Sequence, residues 1–170
     1  MTASLALADA EGLHAVTMQA VARALRVTPM ALYRHVASKA DLLDGLVECL
    51  LDELPAAAPA LPWEKQLVAM AHGLRAIARR HPAVFPLLLQ RPAMTAKARA
   101  RRDAVIASLR AAGVAPARLV HVERVISTLA LGFATGEVAG RFPRQSNATF
   151  RTMIELALAG LVPFRTARTH

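Results

Sequence analysis

Cysteine occurs once in the 170 residues, at Cys49. An internal disulfide framework is excluded, and a lone thiol fits a reducing compartment. Aromatic residues are scarce, at 4% of the chain, so the core is expected to be aliphatic. Acidic residues number 12 against 21 Lys and Arg, and only five of them lie beyond residue 55, scattered. There is no Gly-rich phosphate loop, no Cys/His metal spacing and no nucleophile motif. An enzyme is not expected, nor a cofactor or a metal. His72, His81 and His121 include no pair at the four-residue spacing of helical metal ligands. Long apolar runs are also lacking. The longest weakly polar stretch, Val125 to Gly140, carries Glu137 and is too short to cross a bilayer. The opening residues MTASLALADAEG have neither the basic segment nor the apolar run of a secretory signal. The expectation is a soluble, cytoplasmic protein with no membrane partner.

What is present is helical. Hydrophobic residues make up 55% of the chain, too many for disorder. Ala and Leu dominate, and β-branched residues rarely alternate with polar ones, which predicts an all-α fold. The net charge of +9 is unevenly spread. Residues 1–54 hold four cations (Arg23, Arg26, Arg34, Lys39) and seven acids, a net of −3, while the remainder carries +12. All four of those cations fall within Thr17–Lys39, and no acid does. The positive surface of interest is local.

Helices are predicted over residues 3–11, 18–25, 29–36, 38–54, 63–80, 82–90, 93–112, 117–141 and 147–161. Gly12 is a stop after the first. Thr17 is an N-cap, and Met18, Val21, Ala22 and Leu25 give the spacing of one buried face. Thr28 caps the next helix with Pro29 at its first position, where a missing N–H is harmless; Leu32 and Val36 point inward. Ser38 to Asp41 has capping-box spacing with Asp for the usual Glu. From there a broad apolar face (Leu42, Leu43, Leu46, Val47, Leu50, Leu51, Leu54) packs on elements before and after it. Residues 55–62, PAAAPALP, read as a surface loop.

Two capped short helices joined by a tight turn form a helix-turn-helix unit, whose second helix enters the major groove. The side chains suit that task. Arg34 can donate two hydrogen bonds to guanine, Gln19 can pair with adenine, and Pro29 and Met30 can meet a thymine methyl. Thr17, Tyr33, His35 and Lys39 suit phosphate oxygens, which fix register, and Thr28 joins these candidate DNA contacts at the helix start. Lys39 also lies in the first turn of a helix whose amides attract anions. A plain helical hairpin is the competing reading; the Thr-Pro cap, the Tyr-Arg-His triplet and the exclusion of acids weigh against it.

Glu11 to Asp44 resembles the DNA-binding domain of the tetracycline-repressor (TetR) family. The resemblance rests on Gly12, Thr17, Val21-Ala22, Leu25, Val27, Leu32-Tyr33-Arg34-His35-Val36, Lys39 and Asp41-Leu42-Leu43. It implies DNA contacts at Thr17, Gln19, Tyr33, His35 and Lys39, with Leu32 and Val36 in the core. Later helices match in pattern and in His81-Pro82-Ala83-Val84. Two departures stand out. The family has Gly at the turn where this chain has Arg26, so a strained φ > 0 is expected there. A basic arm and a further turn or two are expected ahead of Leu5-Ala6-Leu7-Ala8.

The resemblance further implies a DNA-binding domain over residues 1–47 and a helical ligand-binding and dimerisation domain over 48–170. The protein is then a transcriptional regulator, a ligand-responsive repressor binding a palindromic double-stranded DNA operator as a homodimer, with a small-molecule effector. A helical dimer module that no longer binds DNA is the alternative. The cavity walls would include Met70, Leu74, Ile77, Phe85, Leu88, Leu89, Met94, Ile106, Leu109, His121, Val125 and Leu129. Gly132, Gly136 and Gly140 recur at four-residue spacing and allow close helix packing. With Ile154, Leu158 and Leu161 they form the expected dimer face. Lys97, Arg99, Arg101 and Arg102 read first as a solvated helix face, and otherwise as an anion site or a second DNA contact. Cys49 is expected to be a small buried hydrophobe.

Overall fold

A computed structural model describes residues 1–56, 58–91, 95–142 and 146–165. Among the described residues the elements are helical and no strand forms. They are α1 (Thr2–Glu11), α2 (Met18–Ala24), α3 (Pro29–Tyr33), α4 (Lys39–Asp52), α5 (Trp63–Arg80), α6 (Leu87–Gln90), α7 (Ala96–Ala111), α8 (Leu119–Val138) and α9 (Ser146–Ala159). Single 3-10 turns cover Leu13–Ala15, Pro116–Arg118 and Val162–Phe164.

Side-chain caps set the helix starts. Thr17, Thr28, Ser38 and Thr95 each accept the amide three residues on, at 3.1 to 3.2 Å, which satisfies a donor the helix cannot pair. Asp41 completes α4's start with a variation. Its shorter side chain takes the amide of Ala37, at 3.1 Å, not that of the capping serine. Prolines account for the shortness of α6. The expected helix over 82–90 is helical only from Leu87, because Pro82 and Pro86 supply no amide donor to the turn before it. Helix α8 stops at Val138 rather than 141, and Gly140 turns away with φ +79°.

One apolar cluster runs from the N-terminal helices into the rest of the chain. Ala8 of α1, Val21 and Ala22 of α2, and Leu42, Leu46 and Leu50 of α4 join Ala78, Val84 and Phe85. Each fully buried Leu contributes about 1.5–3 kcal/mol, so Leu46→Ala, at a site with no exposure, is disruptive. The N-terminal helices are therefore not a loose appendage: α4, which passes through residue 47, packs on α1 and also on α6 and α7 behind it. Aliphatic side chains dominate the core as expected, with Phe85 and Phe150 its largest fully buried members.

Candidate nucleic-acid interface and cavity

Helices α2 and α3 pack together through Val21, Ala22 and Leu32, with Val36 beneath. That packing turns the remaining side chains outward. Thr17, Gln19, Thr28, Pro29, Met30, Tyr33, Arg34, His35 and Lys39 are all exposed; Met30 is 76% exposed, unusual for a large apolar side chain without a partner. None of Arg23, Arg26, Arg34 and Lys39 forms an ion pair with a described residue. The surface thus presents free cations, hydroxyls, an amide and an apolar tip, the mixture that a groove and its phosphates require.

Leu25 departs from its expected place. It is 46% exposed, because α2 ends at Ala24 and Leu25 already belongs to the turn. Arg26 takes φ 56°, the conformation expected at the position where the resemblance has Gly.

Behind this surface, helices α4 to α8 line an open cavity of about 460 Å³, within the usual range for small-molecule sites. Its inner wall is apolar: Val47, Leu51, Leu54, Met70, Leu74, Leu88, Val105 and Leu131. A second space of about 70 Å³ lies between α5, α8 and α9, lined by Met70, Leu74, Leu129, Ile154, Leu158 and Leu161 among others. It is too small for more than a fragment.

The remaining wall candidates lie elsewhere. Ile77, Phe85 and Leu109 are packed in the core at 3%, 0% and 0% exposure, since helix periodicity alone does not separate core from cavity. Ile106 packs against the cluster of Leu109 and Leu119. Leu89 and Val125 are at the surface. His121 is exposed beside Val125 and Leu129 in a shallow trough between α8 and α9. Met94 lies outside the described residues.

The small-residue stripe divides. A Cβ on Gly132 would meet nothing within 4 Å, one on Gly136 would meet Phe142 of the same chain at 3.3 Å, and Gly140 lies beyond the helix. Leu161 is 2% exposed within its own core, and Ile154 and Leu158 are half-buried against the smaller cavity. The inward face of α9 runs through Phe150, Met153, Ile154, Ala157 and Leu158, so outward apolar residues fall at other positions. They are Leu156 and Val162, with Val125 and Leu129 on α8, exposed at 67%, 62%, 67% and 42%. The expected dimer face does not include Leu156; its signal is that it is the one large apolar residue out of register with the rest of its helix.

Polar links were less legible. His81 is 5% exposed, with Nδ1 2.7 Å from Asp9 Oδ2 and Nε2 2.9 Å from Glu53 Oε1. It ties the end of α5 to α1 and to the end of α4. Arg91 Nε donates to Asp44 at 2.5 Å, Lys97 to Asp52 at 2.7 Å, and Thr95 to Glu48. Arg101 donates to the carbonyls of Leu51, Leu54 and Pro55, closing the C-terminal end of α4. Cys49 is half-buried, and burial pushes its thiol above the usual value. No group of His, Cys, Asp and Glu among the described residues could hold a metal ion. No helix there is long and apolar enough to cross a membrane.

Residues 1–46 match the family model for bacterial regulatory proteins of the tetR family, and residues 67–157 that for the tetracyclin repressor-like C-terminal domain. The chain is 32% identical over 138 residues to the HTH-type transcriptional repressor DrrR1 of Streptomyces coeruleorubidus, covering 80% of this chain and 51% of that one. It spans about half the length of that curated relative. Among solved structures, BioQ with its double-stranded DNA operator is 27% identical, with TM-score 0.78 and coverage of 95% and 94%; BioQ comes from Mycobacterium smegmatis. A single-substitution variant of TetR from Acinetobacter baumannii in complex with minocycline is 25% identical, with TM-score 0.82 and coverage of 98% and 96%.

Proposed function

The chain belongs to the tetracycline-repressor family of bacterial regulatory proteins, and from that premise we propose that it is a ligand-responsive transcriptional repressor that binds a palindromic operator as a homodimer. The observation that carries this reading is the exposed surface of α2, α3 and the start of α4: nine groove- and phosphate-suited side chains with four cations free of carboxylates. Residues 1–47 read DNA, and residues 48–170 sense the effector and pair with a second copy. No catalytic step belongs to this function, and its place is the cytoplasm, with the DNA.

The outward strip of Val125, Leu129, Leu156 and Val162, with Gly132 open beside it, is the pairing face. A two-fold contact through α8 and α9 sets two reading surfaces on successive major-groove faces, about 34–36 Å apart. The cavity against α4 is the effector site. An effector shifts the equilibrium only by binding the DNA-free form more tightly.

A gel shift with the DNA flanking the protein's own gene is the test, with mass in solution measured alongside. Expected are a dimer and a shifted complex whose affinity falls steeply with salt. A dimer that shifts none of that DNA at micromolar concentration overturns the reading and leaves a helical interaction module. A monomer at that concentration overturns the pairing face.

A further inference from the structure

The charges around the larger cavity are one-sided. Five guanidinium groups line it (Arg91, Arg99, Arg101, Arg102 and Arg124), against one carboxylate, Glu123. Two are neutralised: Arg91 by Asp44 at 2.5 Å, and Arg102 by Glu123 at 3.0 Å. Arg101 is held by neutral carbonyls only. Arg99 on α7 and Arg124 on α8 are exposed, and their side chains have no hydrogen bond or ion pair with a described residue. The inner wall, by contrast, is apolar and buried; Val47, Leu51, Leu54 and Leu74 are each at most 9% exposed.

An occupant therefore meets both an apolar wall and uncompensated positive charge. We propose that the effector is an amphipathic anion, an apolar body bearing a carboxylate, sulfonate or phenolate whose charge is taken by Arg99 and Arg124. This rests on the reading of the cavity as the effector site. A neutral molecule leaves the two guanidiniums unused, and a cation is repelled by them. Charge-assisted hydrogen bonds to Arg are about twice as strong as neutral ones and fix geometry as well as energy. The wall that an apolar body touches includes Val47 and Leu51 of α4, the helix that packs on α1 of the reading domain, so the same molecule meets both the charge sensor and the part that must move. The basic run at residues 97–102 thus divides into separate tasks: Lys97, Arg101 and Arg102 tie helices together, and Arg99 is left for the ligand.

The test uses the whole chain without DNA. Anilinonaphthalene sulfonate and its neutral parent, phenylnaphthylamine, share one apolar body, differ by the sulfonate, and brighten on leaving water. The wild-type chain is expected to bind the sulfonate roughly tenfold more tightly than the parent. Arg99→Gln with Arg124→Gln is expected to remove most of that preference and leave the parent's affinity unchanged. Thr128→Trp, which fills the cavity from an exposed lining position, is expected to abolish binding of both. Equal affinities for the two dyes, or a preference that survives the double substitution, overturn the proposal. So does sulfonate binding that persists in the Thr128→Trp chain, since the dye is then held elsewhere. The gel shift is read separately: a chain that discriminates the dyes but shifts no DNA keeps this inference and loses the repressor reading, and the converse result does the reverse.

Discussion

Arg75 and Glu137 stand 62 positions apart in the chain and meet in two parallel hydrogen bonds, Nε to Oε2 at 2.7 Å and Nη2 to Oε1 at 2.6 Å. Both side chains are under 10% exposed. Arg79 adds a contact to Oε1 at 2.6 Å, and Arg75 also donates to Asn147 at 2.7 Å while its guanidinium lies 4.3 Å from the centre of the Phe150 ring. One ion pair thus locks α5, α8 and α9 in register inside a largely aliphatic domain. Both carboxylate oxygens of Glu137 and the Nε and Nη2 of Arg75 have partners, and a buried charge without such partners would be strongly destabilising.

The pair predicts a pH dependence. Hydrogen bonds from Arg75, with that from Arg79, lower the Glu137 carboxyl from 4.5 to about 2. A depressed folded-state value contributes stability that is whole above the unfolded value and is lost as pH falls through the folded one. The window therefore runs from about pH 4.5 down to about 2, and the contribution at stake is at most about 3 kcal/mol. Denaturant unfolding of the wild-type chain and of Glu137→Gln at a series of pH values checks it. The stability gap between them should narrow steadily across that window. A gap equal at pH 6 and at about pH 3 would contradict the assignment.

Arg26 predicts the opposite kind of effect, a substitution that stabilises. Its φ of 56° is unfavourable for a residue with a Cβ, and the side chain is exposed with no ion-pair partner among the described residues to compensate. Arg26→Gly should raise stability by about 1 kcal/mol, read as a higher denaturation midpoint with an unchanged slope. A lower midpoint would mean that the arginine makes a compensating interaction in solution.

His81 predicts a loss. Both ring nitrogens face carboxylates, Asp9 and Glu53, and both can donate only in the imidazolium form. His81→Leu removes both bonds and leaves Asp9 and Glu53, 30% and 24% exposed, turned toward an apolar group. A destabilisation of about 2 kcal/mol or more is expected, seen as a fall in Tm. His81→Gln, which can donate to one carboxylate, should lie between the two. A His81→Leu chain as stable as wild type would show the bridge to be dispensable.

These links bear on what a linear reading can reach. Caps are local: Thr17, Thr28 and Ser38 act on the amide three residues away, so they and the helices they start were legible. The strained turn at Arg26 was legible for the same reason, together with the resemblance. The nine candidate DNA contacts come from one short stretch whose buried face has helical spacing, and the outward positions follow from it. Arg101, by contrast, bonds carbonyls 46 to 50 positions away, and His81 pairs with acids 72 and 28 positions away. Nothing in the local pattern marks either residue as a tie between helices. The same applies to α9. Period alone made Ile154, Leu158 and Leu161 one face, but which side meets the core depends on how α8 lies against it. The cavity fared similarly: Phe85 and Leu109 have the composition of a wall but sit where neighbouring helices close without a gap.

The proposed reading surface gives the last prediction, since Arg34 and Lys39 are both exposed cations to which the proposal gives different tasks. Arg34 follows the last turn of α3, the helix proposed to enter the groove, where a guanidinium can pair with guanine N7 and O6. Lys39 is the first residue of α4, beside amides that favour a phosphate. Arg34→Ala should weaken binding to the preferred operator by about 1–3 kcal/mol and relax the preference at one base position. Lys39→Ala should weaken binding to every sequence alike and reduce the salt slope by about 0.9. Anisotropy titrations of both variants on the operator and on single-base variants of it, at several salt concentrations, separate the two. If Arg34→Ala instead lowers affinity uniformly with a shallower salt slope, that side chain holds a phosphate. The sequence preference must then come from other exposed residues of α2 and α3 with the chemistry to meet a base edge, among them Gln19, Arg23, Pro29 and Met30.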